Sequence, residues 1–224
     1  PVRVLDCSGT GSLSQLIAGL DWVKTDALSS RPAKSVVNLS LGGPYSGLLN
    51  AKATELVAAG IPVVVASGNE AVDACEVSPA SAPAVIAVNA STPEDMDAYF
   101  SNYGACTDLY APGVAIKSTY HLSNTSTARA SGTSMAAPHV AGAIARLLAR
   151  GANGTDDFPD LFNAMNSNVV NTGLPDDPST LVHISPGTGV PSAPRNVRLS
   201  EASGDLRVTW DWPSSSGSSS GLNF

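Results

Sequence analysis

The chain has 224 residues, 43% of them hydrophobic and only 14% charged, with 12 Lys and Arg against 19 Asp and Glu for a net charge of −7. That apolar content can bury one sizeable α/β core, while the lack of any Lys/Arg cluster excludes the electrostatic footprint of a nucleic-acid binder. No run approaches the roughly 18 consecutive apolar residues of a membrane span, so neither nucleic acid nor membrane is expected as a partner.

The chain opens Pro1-Val2-Arg3-Val4-Leu5-Asp6, with no initiator Met or leader, and residues 2–6 read as a strand ended by Ser8-Gly9-Thr10-Gly11. The expectation is a sequence that starts inside a domain. Leu13, Leu16, Ile17, Leu20 and Val23 then recur at helical spacing. After Pro32 a second apolar run covers residues 35–39, and Ser46 can cap a helix whose Leu49, Ala53, Leu56 and Val57 share one face, with Gly60 at its end. The β-branched run at 61–65 is that of a strand buried on both faces, and β-α-β-α-β order predicts a doubly wound, mostly parallel α/β sheet. Further strands are expected at 84–88 and 109–111, and helices at 133–150 and 158–165. Past Ile184 the composition changes to a Pro, Gly and Ser linker; Leu206, Val208 and Trp210 then alternate as in a β module, before a Ser/Gly run at 214–221.

The chemistry concentrates in two places. Residues 131–142 read SGTSMAAPHVAG, with Ser134 immediately before an Ala-rich helix. A lone Ser there is ordinarily an N-cap, but its backbone N–H also points toward the end of a helix that stabilises negative charge. Residues 61–70 read IPVVVASGNE, a buried strand whose carboxyl end, where an open parallel sheet presents its site, carries Gly68-Asn69. By itself Asn69 is a turn residue after Gly.

GTSMAAPHVAG resembles the nucleophile motif of the subtilisin-like serine peptidases, with Ala at 137 where Thr or Ser is usual. The resemblance covers Pro1 to about Ile184, and VRVLDCSGTGS, NLSLGG, SPASAP and SNYGACTDLYAPG are similar to the proteinase K-like branch. It implies a three-layer subtilisin-like fold, a secreted monomeric endopeptidase acting on polypeptides, Ser134 as nucleophile, and Asn69 as oxyanion donor together with the Ser134 N–H. It also implies that Gly9-Thr10-Gly11 and Ser40-Leu41-Gly42 clamp an extended substrate as added strands, and that Ala66-Ser67-Gly68 form the floor of a primary pocket open to a large apolar side chain. The family's DTG-type and HGTHVAG-type segments, which precede the Ser motif and supply the orienting Asp and the His base, are not in these 224 residues. The three histidines, His121, His139 and His183, match no base motif and read as structural or solvated. A catalytically inert, peptide-binding relative is the competing expectation, opposed by intact Ser134 and Asn69.

Three cysteines without a CxxC pair give little support to zinc, and the odd count leaves one unpaired. The resemblance implies a bridge between Cys75 and Cys106, with Cys7 belonging to a bridge whose other half lies in the N-terminal part. It implies calcium on the main-chain carbonyls of Pro83 and Val85 and the carboxylate of Asp108. Residues 191–210, PSAPRNVRLSEASGDLRVTW, resemble the opening of a fibronectin type III module. The expected organisation is a peptidase part at 1–184, a linker at 185–193 and the start of an all-β sandwich at 194–224.

Overall fold

The computed structural model describes residues 1–30, 35–149, 170, 172, 177–182, 195–202 and 205–211, the last two stretches by their backbone alone. The expected helix at 158–165, the linker at 185–193, the Ser/Gly run at 214–221, Pro32, Arg150 and His183 lie outside the described residues. In chain order the elements are α1 (Leu13–Ser30), β1 (Val37–Leu39), β2 (Gly43–Pro44), α2 (Gly47–Ala58), β3 (Val63–Ala66), a 3-10 turn (Ala74–Glu76) and β4 (Val77–Ser78). They continue with β5 (Ile86–Ser91), β6 (Leu109–Pro112), β7 (Ile116–Thr119), β8 (Thr127–Ala130), α3 (Thr133–Ala149), β9 (Arg195–Ala202) and β10 (Asp205–Asp211).

Local chemistry sets the helix ends. Ser12 and Gln15 form a reciprocal box before α1, the Ser12 N–H donating to Gln15 Oε1 at 2.8 Å and the Gln15 N–H to Ser12 Oγ at 3.3 Å. Ser46 Oγ accepts the Leu49 N–H at the start of α2. At the other end the Gly60 N–H donates to Val57 O and the Ile61 N–H to Leu56 O, which satisfies two terminal carbonyls and turns the chain into β3.

The chain divides into two compact units, Pro1–Ser118 with Ala128–Ile184, and Thr119–Thr127 with Ser185–Phe224. In the first, a four-stranded sheet of order β1-β3-β5-β6 is parallel throughout, with Val63 opposite Val37, Val64 opposite Ile86 and Val88 opposite Leu109. Every residue of β3 and β5 is buried, because both sheet faces are covered. Val64, Ala66, Ile86 and Val88 face the small side chains of α3, chiefly Ala136, Ala137 and Val140. Val63, Val65 and Ala87 pack in a second cluster with Leu16 and Leu20 of α1 and Leu49, Ala53 and Leu56 of α2. The strand period of two thus feeds two cores, and three layers result. β2 with β4 and β7 with β8 form separate two-stranded sheets. In the second unit β9 and β10 form an antiparallel pair with Val208 opposite Leu199 and a bulge between Thr209 and Asp211.

One expected element is absent. Residues 2–6 form no strand: no described strand pairs with them, so their backbone gains nothing from extended geometry. Val4 and Leu5 pack instead at the edge of the α1/α2 core, Val4 lying over Gly19 of α1. The other sequence-based elements that fall on described residues are present with shifted ends, the run at 61–65 becoming β3 at Val63–Ala66 and the helix from Leu13 extending to Ser30.

Candidate active site

β3 and α3 converge on one cleft. β3 ends at Ala66, and Ser67-Gly68-Asn69 leave the carboxyl edge of the sheet toward the first turn of α3. Asn69 Oδ1 accepts from the Thr133 N–H at 2.8 Å and from Thr133 Oγ1 at 3.0 Å, and Thr133 Oγ1 in turn accepts the Gly68 N–H at 3.2 Å. With its oxygen committed to two donors, the Asn69 amide has one orientation, and its Nδ2 has no hydrogen-bond partner among the described residues. The Ser134 N–H, an unpaired donor of the first helical turn, has none either. Asn69 and Ser134 line a cleft of about 440 Å³ together with Leu41, Gly42, Ala66 and Gly68.

The backbone at Ser134 follows from a proline. Pro138 inside α3 has no N–H to offer the carbonyl four residues back. The Ser134 carbonyl accepts from Ser40 Oγ instead, at 2.9 Å, while Ser134 Oγ donates weakly to Ser40 O at 3.4 Å. The segment Ser40-Leu41-Gly42 is thereby tied to the helix start.

Gly68 sits at φ +115, and a Cβ there would lie 2.1 Å from Asn102 Nδ2, so only glycine fits. Ser67 is fully buried beneath the cleft and its carbonyl accepts from Asn102 Nδ2. Thr133 and Asn102 are the site residues that sequence reasoning missed. Thr133 stood beside the nucleophile in GTSMAAPHVAG and Asn102 inside SNYGACTDLYAPG, but nothing in spacing or composition tells which side chain in a motif makes the hydrogen bonds.

The remaining sequence-predicted residues lie as follows. Gly9, Thr10 and Gly11 do not line the cleft; they belong to an exposed turn closed on Asp6, whose Oδ1 accepts from the Ser8 N–H, Ser8 Oγ and the Thr10 N–H. Those bonds hold the Asp6 carboxyl below its ordinary value, the Ser8 side chain contributing most. His139 is exposed, with Nδ1 against Met135 O at 2.8 Å, one turn back along its own helix. His121 stacks on Tyr120 with ring centroids 4.3 Å apart. Cys75 and Cys106 are joined by a disulfide with Cα atoms 5.2 Å apart, and Cys7 is free and exposed.

Asp108 precedes β6, its N–H donating to Ala87 O at 2.9 Å and its Oδ2 accepting the Ala87 N–H at 2.7 Å, which holds it beside the strand that begins just after Val85. Loss of solvent around the carboxyl raises its pKa above the ordinary value, and the Ala87 hydrogen bond opposes this. No donor to Oδ1 is found among the described residues, and a carboxylate oxygen is the donor type that a hard cation takes. No group of three or more His, Cys, Asp and Glu able to hold a metal occurs among the described residues; a site built on carbonyls would not depend on one.

A second acidic pair lies off the cleft. Tyr110 OH donates to Asp177 Oδ2 at 2.5 Å, and the Gly104 N–H to Asp177 Oδ1 at 2.7 Å. Half-buried Asp97 nearby is pushed up to about 6, by desolvation first and then by the Asp177 charge. Burial of the ring first, and then the same carboxylates, raise Tyr110 as well.

Known proteins resemble this chain in sequence and in fold. Residues 1–172 match the subtilase family of peptidases, Peptidase_S8. An extracellular serine proteinase of Thermus sp. (strain Rt41A) is 53% identical over 148 residues, 66% of this chain and 35% of that protein. Subtilisin-like protease 7 of Trichophyton equinum is 42% identical over 189 residues, 84% of this chain and 46% of that one. Among solved structures, a cold-adapted subtilisin-like serine proteinase superposes with a TM-score of 0.72 at 38% identity, over 80% of this chain and 64% of that one. The chain therefore spans between about a third and a half of these curated relatives.

Proposed function

Because the chain belongs to the subtilase family, we propose that it is the nucleophile-bearing part of a secreted serine endopeptidase of the proteinase K-like branch, working as a monomer on polypeptides. The observation that carries this is the pair of open donors, Ser134 N–H and Asn69 Nδ2, on one cleft beside the Ser134 hydroxyl. Ser134 Oγ attacks the scissile carbonyl carbon as its proton passes to a His base; the carbonyl oxygen takes the electron pair and is met by the two donors. Collapse expels the amine, which takes the proton from that His, and water then hydrolyses the ester by the same route in reverse. The His base and its Asp would come from the HGTHVAG-type and DTG-type segments that the resemblance puts before the Ser motif; His139 is engaged with its own helix.

Substrate main chain lies along Ser40-Leu41-Gly42 on one side, with Gly9-Thr10-Gly11 as the opposite edge, and a side chain enters over Ala66-Ser67-Gly68. The carbonyls of Pro83 and Val85 with Asp108 Oδ1 would hold calcium, which stabilises the fold by binding it and not the unfolded chain. Residues 194–224 begin a fibronectin type III module joined by the linker at 185–193. The test is labelling of the whole protease with a fluorophosphonate. We expect the label on Ser134 and, in Ser134→Ala, loss of both label and turnover, the latter on the order of 10⁶-fold. A label on any other residue overturns the assignment.

A further inference from the structure

We propose that Asn102 is the positioning residue of the oxyanion donor: it never touches the reacting atoms, but its buried amide sets the loop that aims Asn69. This rests on the reading of Asn69 and Ser134 given above. Asn102 is fully buried, and its side chain uses all four of its hydrogen-bonding sites on the loop around Asn69. Oδ1 accepts the Glu70 N–H at 3.0 Å and the Val72 N–H at 3.1 Å. Nδ2 donates to Ser67 O at 2.9 Å and to Glu70 Oε2 at 3.3 Å. Its own N–H donates to Gly68 O at 3.1 Å. The residues before and after Asn69 are thus held from one point, some 30 residues away in sequence.

Asn69 itself is reached at one remove. Its N–H donates to Glu70 Oε2 at 2.8 Å, the same carboxylate oxygen that Asn102 Nδ2 holds. The backbone of Asn69 is therefore set by Asn102 through Glu70 and its side chain by Thr133, which leaves Nδ2 as the free donor. A preorganised donor needs no reorganisation as charge develops, so loosening the loop is felt in the transition state more than in substrate binding. Gln carries the same amide but one methylene farther from the backbone, and Asp would lose both donors and set a second charge beside Glu70.

The experiment is a double-mutant cycle on the whole protease, with steady-state kinetics well below the melting temperature. Asn69→Ala is expected to lower kcat by about 10²- to 10³-fold. Asn102→Ala is expected to lower kcat by roughly ten- to a hundredfold with KM changed less than about threefold, and to cost less than about twofold once Asn69 is already Ala. Equal losses in both backgrounds, or unchanged kcat in the single variant, would make Asn102 a stability residue and overturn the proposal. If Asn102→Ala does not accumulate folded, Asn102→Ser, which keeps one donor and one acceptor, carries the same cycle and the same criterion. Should Asn69→Ala and Ser134→Ala both leave turnover intact, the peptidase reading itself fails, a result distinct from an additive cycle.

Discussion

Two glycine-containing turns look alike in the sequence and are built differently in space. The loop Ser67-Gly68-Asn69 and the following Glu70 are held by partners 32 to 65 residues away, Asn102 on one side and Thr133 on the other. The turn Ser8-Gly9-Thr10-Gly11 is held by Asp6, at most four residues off, with no distant hydrogen-bond partner among the described residues. Long-range bonds form only once the sheet and α3 are assembled, so they import the order of the core into the loop; local bonds can form and break with the turn alone. The first turn is fixed by the packed core and the second by its own residues.

The sharpest way to break this comparison is to put a Cβ on each turn. Gly68→Ala would drive its methyl into the Asn102 amide, 2.1 Å away, at a positive φ, and should cost about 3 to 5 kcal/mol. Gly9→Ala also meets a positive φ, but nothing lies within 4 Å, and about 1 kcal/mol is expected. Thermal melting of the two variants that gave equal losses would show the Gly68 loop to be no more constrained than the Gly9 turn.

The braced side also carries the covalent tie. Cys75 and Cys106 close a separation of 31 residues between the segment after the loop and the segment bearing Asn102. On the chain-entropy account, replacing both by Ser should cost on the order of 3.5 kcal/mol, whereas in the 224-residue chain Cys7→Ser, at a thiol that has no disulfide partner there, should leave melting unchanged. A drop on Cys7→Ser would reverse that assignment.

Protonation separates the two regions again, with opposite signs. Asp97, on the segment leading to Asn102, has a folded pKa of about 6, above its unfolded value, so its ionisation opposes folding. The penalty is absent below about pH 4, grows as pH rises toward 6 and is complete above it. Half exposure screens it to about 1 to 2 kcal/mol. Asp97→Asn should therefore stabilise the protein at pH 8 and not at pH 4; equal melting of variant and parent at pH 8 would dismiss the penalty. Asp6 is depressed instead, so the support that it gives its turn is present at neutral pH and lost as pH falls below about 4. This smallest effect should appear as faster amide exchange at Thr10 in acid, corrected for intrinsic rate, with the Asn69 loop unmoved. Unchanged protection at Thr10 would show that the turn has another anchor.

Much of this was legible in the sequence, and for identifiable reasons. The β-branched run in IPVVVASGNE marked a strand covered on both faces because period and side-chain type are local properties. Ser46 and Gly60 marked the two ends of α2 because capping acts over a few residues, whereas Ser134, which reads as a cap, lies inside the first turn of α3. The motif around Ser134 carried the family through residue identity alone. Residues 2–6 misled for the complementary reason: an extended, apolar run says nothing about whether a neighbour exists to pair with it.

The sequence by itself carried the family, through the motif around Ser134, and the alternation of the main helices and strands from Leu13 to Ala149, since each is written in residues close together in the chain; it also pointed to Ser134 and Asn69 for the roles proposed above. Only the tertiary structure decided which way the Asn69 amide faces, that Ser40 takes up the carbonyl freed by Pro138, and that Asn102 joins both flanks of the loop. Those outcomes depend on pairs 30 to 94 residues apart, and a hydrogen bond across such a distance in sequence exists only after packing has brought its donor and acceptor together.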